Sequence, residues 1–353
     1  MAQLSAVGLG GVFADALWAG AQEQERITAD VVRDAEAVAG LAFTDDEREM
    51  MVRGLNENLE AYEAIRQVTV PNAVPPAFRF DPRLPHMGLP GGPVGDDEGP
   101  TSADRFDSVR VTRHRGARRP EDLETVAFWP VARLAELIRT GQVSAVELTR
   151  MYLDRLRRHG PTLEAVITLT DDLAMRQAER ADAELAAGRY RGPLHGIPWG
   201  AKDLLSTEGY RTTWGAKPYE EQRIPEDATV VRRLEEAGAV LVAKLTLGAL
   251  AMGDRWYGGR TRNPWDLEQG SSGSSAGSAA ATVAGLVGFG IGTETLGSIV
   301  SPCTRTGASG LRPTFGRVSR HGAMALSWTM DKIGPICRTA EDCALVFAAI
   351  HGA

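Results

Sequence analysis

The chain has 353 residues, 43% of them hydrophobic and 24% charged, enough for one large core with an appendage or for two modest domains. A net charge of −7 excludes a dedicated nucleic-acid surface, which needs a basic face. Cys303, Cys337 and Cys343 cannot all pair within one chain and lack metal-ligand spacing, and six scattered histidines without HExxH or CxxC leave a metal site unsupported.

Met1 to Ala21 is mostly small and apolar, is interrupted by Asp15, lacks Lys and Arg, and closes on Ala19-Gly20-Ala21. Residues 1–24 read as a leader, either an N-terminal helix or a secretory signal without its charged start. The protein is cytoplasmic if Met1 is the true start and exported if residues 1–21 are the remnant of a signal. Residues 25–69 predict a helical appendage of two helices, the first capped by Thr28 and the second opened by the capping box Thr44-Asp45-Asp46-Glu47. Prolines and glycines then accumulate up to Pro100, and a basic run follows from Arg110 to Arg119. Residues 70–122 therefore read as a Pro/Gly-rich linker, with the basic run a solvated part of it.

From Ala127 onward helices alternate with short apolar strands. Pro130 starts a helix ending near Gly141, and Ser144-Ala145-Val146-Glu147 is a capping box for a helix that stops at Gly160-Pro161. Ala165 to Leu169 predicts a strand, Asp172 to Leu185 a helix, Asp227 to Ala237 a helix ended by Gly238, and Ala239 to Ala243 a buried strand. This alternation predicts an α/β fold with a sheet covered on both faces. The uncharged stretch from Ser271 to Thr293 has an apolar part too short for a bilayer, which takes about 20 residues, so no integral membrane segment is expected.

Three segments carry candidate chemistry. In Gly196-Ile197-Pro198-Trp199-Gly200-Ala201-Lys202-Asp203, Lys202 ends an uncharged run. Such a lysine is commonly a surface residue with a buried stem, but drawn inside it becomes a neutral base. Gly270 to Ser278 (GSSGSSAGS) has the composition of a flexible linker, yet Ala279 to Gly290 behind it is apolar and should be core. That context makes Ser274 and Ser275 functional candidates. In Gly292 to Pro302 (GTETLGSIVSP), Gly297 permits a sharp turn beside Ser298 that can aim N–H groups into a cleft.

Two other readings compete. Gly273-Ser274-Ser275-Ala276-Gly277 also matches the G-x-S-x-G nucleophile elbow, but that motif needs a preceding strand, which Thr261 to Gly270 does not predict, and a downstream histidine, His321 or His351. Gly288-Phe289-Gly290-Ile291-Gly292 is a weak dinucleotide signal lacking the third glycine at its proper place.

Taken in order, these segments resemble the amidase signature family. The resemblance covers residues 123–353 through SAVELTRMYLDRL, HGIPWGAKD, TRNP, GSSGSSAGS, GTETLGSIVSP, GLRPTFGRVSRHGA and DKIGPICRTAEDCAL. It implies a large mixed β-sheet core covered by helices on both faces and a serine amidase hydrolysing a carboxylic amide through an acyl-enzyme. Its Ser-Ser-Lys triad falls on Ser298 as nucleophile, Ser274 as bridging serine after a cis bond at Gly273–Ser274, and Lys202 as base. The oxyanion hole falls on Thr295, Leu296, Gly297 and Ser298, with Ser275 and Glu294 in support. No cofactor or metal is implied. The partners expected are a small-molecule amide and, as an assembly, a homodimer, without nucleic acid.

The pattern departs from the family at Glu294, Leu296 and Val300, where Asp, Gly and Arg are usual. Leu296 is expected to narrow the acyl pocket or to alter the loop's backbone, and Val300 to remove a cation that helps hold the loop. The amidase domain, 123–353, also ends earlier than the family pattern. Residues 28–78 loosely resemble the small helical C-type component of the tRNA-dependent amidotransferase, on Phe43 to Glu47, Leu55 to Leu59 and Pro71-Asn72. The alternatives are an A-type component of a glutamine-dependent amidotransferase, or a catalytically dead amidase-like scaffold or fragment.

Overall fold

The computed structural model describes residues 27–69 and 112–352, and the chain divides into two units, residues 1–88 and 89–353. The leader at residues 1–24 and most of the 70–122 stretch lie outside the described residues.

The described part of the first unit is a pair of helices, α1 (Ala29–Ala39) and α2 (Asp45–Arg66). Thr28 caps α1 by accepting from the Val31 N–H, and Gly40 ends it in the left-handed conformation. At α2 both halves of the Thr44/Glu47 capping box are present. Polar contacts join the helices: the Glu36 carboxylate accepts from Arg48 Nε at 2.7 Å and Nη2 at 2.8 Å, and the Asn56 amide bonds both backbone groups of Ile27.

The second unit begins with a 3-10 turn (Leu123–Phe128) and continues through α3 (Val131–Arg139), α4 (Ala145–Leu163), β1 (Val166–Leu169), α5 (Asp171–Ala186) and β2 (Pro198–Lys202). Then come α6 (Thr229–Glu236), β3 (Val240–Leu245), two small hairpins of β4 (Arg255–Trp256) with β5 (Gly259–Arg260) and β6 (Arg262–Asn263) with β7 (Asp266–Gly270), and α7 (Ala276–Val283). The chain finishes with β8 (Phe289–Glu294), α8 (Val300–Thr306), β9 (Ser309–Gly310), β10 (Lys332–Cys337) and α9 (Ala340–Ile350).

Six strands form one mixed sheet in the order β1-β3-β2-β8-β10-β9. The central trio β3-β2-β8 is parallel, with antiparallel strands on both sides. All residues of β2, β3 and β8 are buried, as strands sandwiched between two helical layers must be, which is why they read as runs broken by a single charge each, Lys202, Lys244 and Glu294, rather than as alternating patterns. Trp199 and Phe289, paired on β2 and β8, stack with centroids 6.0 Å apart.

The glycines of β8 serve close packing. A Cβ on Gly292 would lie 2.7 Å from Ser275 Oγ, at the start of α7. The Gly-x-Gly-x-Gly run therefore reflects a helix pressed against a strand rather than a dinucleotide loop.

Two elements differ from the sequence expectations. Helix α4 passes through Gly160-Pro161 and ends at Leu163, where Glu164 adopts φ 48° and its N–H bonds the Gly160 and Pro161 carbonyls. Pro161 falls in the last turn, where one missing donor disturbs little of the hydrogen-bond ladder. Thr261 to Gly270 does contain a strand, β7, but four of its five residues are exposed and it pairs only with β6. Its polar sequence carries no burial pattern because the ribbon stands apart from the main sheet.

Candidate active site

Lys202 is the last residue of β2 and is completely buried. The uncharged segment before it fills the middle of the sheet, so the strand carries the lysine into the interior. Its Nζ lies 2.7 Å from Ser274 Oγ, 2.9 Å from Thr293 Oγ1, 3.2 Å from Ser275 Oγ and 3.4 Å from the Thr293 carbonyl. Burial pushes its pKa down to about 7, against the opposing pull of the Asp331 and Glu294 carboxylates. Near neutrality a large fraction of Lys202 is therefore free amine.

Ser274 and Ser275 stand between β7 and α7, and the Gly273–Ser274 peptide is cis. Ser275 is locked. Its hydroxyl donates to the Thr293 carbonyl at 3.0 Å and accepts the Thr293 N–H at 3.1 Å. Its own N–H bonds the Ser298 carbonyl at 3.1 Å, tying the two serine segments together.

The Thr295–Ser298 loop leaves the end of β8. Glu294, fully buried, organises it from below: its Oε2 accepts the Ile299 N–H at 2.8 Å and the Val300 N–H at 3.0 Å. Arg312 reaches its Oε1 at 3.3 Å. Burial raises the carboxyl pKa, but the N–H groups of Val300, Ile299 and Gly297 together with Arg312 outweigh it and hold the group below the usual carboxylate range. Gly297 has φ 81°, a conformation that costs a glycine nothing, and Ser298 follows with 8% exposure.

Ser274, Thr293, Thr295 and Ser298 line one wall of a cavity of about 260 Å³. Leu204, Met324, Leu326, Trp328 and Ile333 supply its apolar surface, while Arg320, His321, Asp331 and Lys332 supply charge and polarity. Among the described residues no hydrogen bond joins Ser274 Oγ to Ser298 Oγ; they share the cavity without direct contact.

Two expectations need correction. The Leu296 side chain is 84% exposed and forms no part of the cavity wall, because it projects outward while its backbone stays in the loop. It does not narrow the pocket. The loop also does not lack a cation, since Arg312, arriving from the segment after β9, meets Glu294 where Val300 cannot.

Thr293, Arg312, Asp331 and Lys332 are site residues that sequence reasoning does not single out. They lie in quoted segments, GTETLGSIVSP, GLRPTFGRVSRHGA and DKIGPICRTAEDCAL, but only the pairing of β8 with β10 brings the last two onto Thr295. The nucleophile-elbow reading loses its candidate, since Ser275 is buried and its hydroxyl is spent on the Thr293 backbone. Among the described residues no group of three or more His, Cys, Asp or Glu side chains could hold a metal, and no helix is long and apolar enough to cross a membrane.

A family model described as Amidase matches residues 147–353, more than half of the chain. This chain belongs to the amidase signature family. The A-type component of glutamyl-tRNA(Gln) amidotransferase from Halorhodospira halophila is 45% identical over 225 residues, covering 63% of this amidase-family chain and 46% of the relative. Its counterpart from Moorella thermoacetica is 44% identical over 222 residues, covering 62% and 46% respectively. Among solved structures, native peptide amidase from Stenotrophomonas maltophilia superposes with TM-score 0.62 at 39% identity, over 65% of this chain and 49% of that one. The chain thus spans about half the length of the amidase-family relatives it matches.

Proposed function

We propose that this chain hydrolyses a carboxylic amide through an acyl-enzyme on Ser298, with Ser274 as proton relay and Lys202 as base. The observation that carries the reading is the 2.7 Å contact between a fully buried Lys202 and Ser274, on the cavity that Ser298 also lines. Neutral Lys202 takes the Ser274 proton, Ser274 takes the Ser298 proton, and Ser298 Oγ attacks the amide carbon. Thr293 Oγ1 and O lie within reach of Nζ and can accept its two N–H bonds, which leaves the amine lone pair for Ser274.

Charge developing on the carbonyl oxygen meets backbone N–H groups of the Thr295–Ser298 loop. The N–H groups of Thr295, Leu296, Gly297 and Ser298 are the candidate donors, each worth about 3 kcal/mol of barrier. Return of the proton along Ser274 releases the amine, and water then frees the acyl group. The two serines need not touch in the empty site, because catalytic hydrogen bonds often close only when substrate binds. The domain layout belongs to this reading: residues 123–353 form the catalytic part, 25–69 a helical appendage and 70–122 a linker.

The test is intact mass after incubation with a small fluorophosphonate, on the natural chain and on Ser298→Ala. One adduct that vanishes in the variant supports the reading; an adduct that survives in Ser298→Ala removes it. The identity with A-type amidotransferase components favours a second reading, in which the same chemistry releases ammonia from glutamine for a partner protein. Glutaminase activity that appears only with an added partner would select it.

A further inference from the structure

The mechanism leaves unused two charged residues where β10 begins. Asp331 and Lys332 face the end of β8, with Lys332 paired opposite Glu294. Lys332 Nζ donates to the Thr295 carbonyl at 2.9 Å, while the Thr295 hydroxyl donates to Asp331 Oδ1. The other Asp331 oxygen accepts the backbone N–H groups of Leu326 at 2.7 Å and Ser327 at 2.9 Å. One residue of the loop, Thr295, is thereby held at both its carbonyl and its side chain.

That carbonyl has a partner across its peptide plane. The Thr295 C=O and the Leu296 N–H belong to one planar trans unit and point in opposite directions. A donor fixed on the oxygen therefore fixes where the N–H points. It also polarises the amide and strengthens the N–H as a donor. The Leu296 side chain, largely in solvent, supplies no packing that could do this instead.

We propose that Lys332 and Asp331 are positioning residues that clamp the Thr295–Leu296 peptide and aim the Leu296 N–H at the developing oxyanion. The same carboxylate couples this peptide to the 326–327 segment, so the wall carrying Leu326 and the oxyanion site are set together. The inference rests on Ser298 being the nucleophile, and its test keeps the two ideas apart.

Lys332→Met removes the donor, whereas Lys332→Gln keeps an N–H within reach of the same carbonyl. The rate of fluorophosphonate adduct formation at Ser298 is expected to fall at least tenfold in Lys332→Met and to recover to within about threefold of the natural chain in Lys332→Gln. Thermal midpoints recorded alongside separate this from unfolding, which the glutamine would not selectively rescue. Independently, threonine labelled at its carbonyl carbon and leucine labelled with 15N isolate the four Thr-Leu peptides of the chain. The Leu296 amide proton should move upfield in Lys332→Met and return in Lys332→Gln. An unmoved Leu296 resonance, or full reactivity in Lys332→Met, overturns the clamp. A moved resonance in a protein whose natural form takes no adduct supports the clamp and overturns the Ser298 reading alone.

Discussion

Two lysines are completely buried in neighbouring strands of one sheet, and their surroundings could hardly differ more. Lys244 on β3 faces the Asp203 carboxylate at 2.8 Å and adds the Arg211 carbonyl and the Thr212 hydroxyl. Asp203 in turn accepts the N–H and the hydroxyl of Thr213 through its second oxygen. Among the described residues, Lys202 on β2 has hydroxyls and a carbonyl around it and no carboxylate within ion-pair distance. Burial is shared; the partner set is not. A carboxylate in contact compensates a buried ammonium, while hydroxyls leave the desolvation penalty to fall on the charged form. A structural lysine and the proposed base are therefore distinguished by what touches Nζ, one strand apart.

The comparison breaks most sharply on substitution. Lys202→Met should slow Ser298 acylation by about 10³-fold, the usual scale for loss of a general base, measured as adduct formation by mass. It should not lower the denaturation midpoint and should raise it near neutral pH, because no charge is stranded and the desolvation penalty of the buried amine is removed. Lys244→Met should do the converse: it strands the Asp203 carboxylate in the core and should destabilise the fold by about 3 kcal/mol in a urea titration. Equal stability losses in the two variants would show that the partner sets do not matter.

The pH dependence sharpens it further. Folding depresses the Lys202 pKa from 10.5 to about 7, so between those values the unfolded chain binds more protons than the folded one. Stability contributed through this group is therefore lost below about pH 7 and grows as pH rises through the window to 10.5. Acylation should likewise climb with an inflection near pH 7. A melting series from about pH 6.5 to about pH 9.5 on the natural chain and Lys202→Met should show the slope only in the former, and an inflection above about pH 9 would contradict a neutral base.

Smaller effects test the periphery. Thr293→Ala removes one of the groups orienting Nζ and should lower the acylation rate by about tenfold, the worth of one hydrogen bond. Leu296→Ala, with its side chain in solvent, should change rate and midpoint by less than about 0.5 kcal/mol. A large Leu296→Ala effect would mean that the side chain meets substrate after all.

Much of this is readable along the chain. Both capping boxes, at Thr44 and Ser144, form as their spacing dictates, because N-caps are satisfied within four residues. The buried strand from Val240 announces itself in the apolar run Ala239–Ala243, and Gly297 before Ser298 takes the positive φ its turn needs. These are local facts. The polar strand at Asp266–Gly270 is illegible because nothing in its composition records a ribbon lying off the main sheet.

By itself, then, the sequence determined the capped helix starts and the buried strand from Val240, which depend on neighbours a few residues away, and through the family resemblance it named the three groups proposed to react. Only the tertiary structure decided that Lys202 lacks a contacting carboxylate while Lys244 has one. It alone placed Arg312 on Glu294 and brought Asp331 and Lys332 onto Thr295. Those pairings join residues 18 to 41 positions apart, across strands whose register no local pattern specifies. A buried lysine takes its chemistry from the few ångströms around its nitrogen, and folding alone fills that shell.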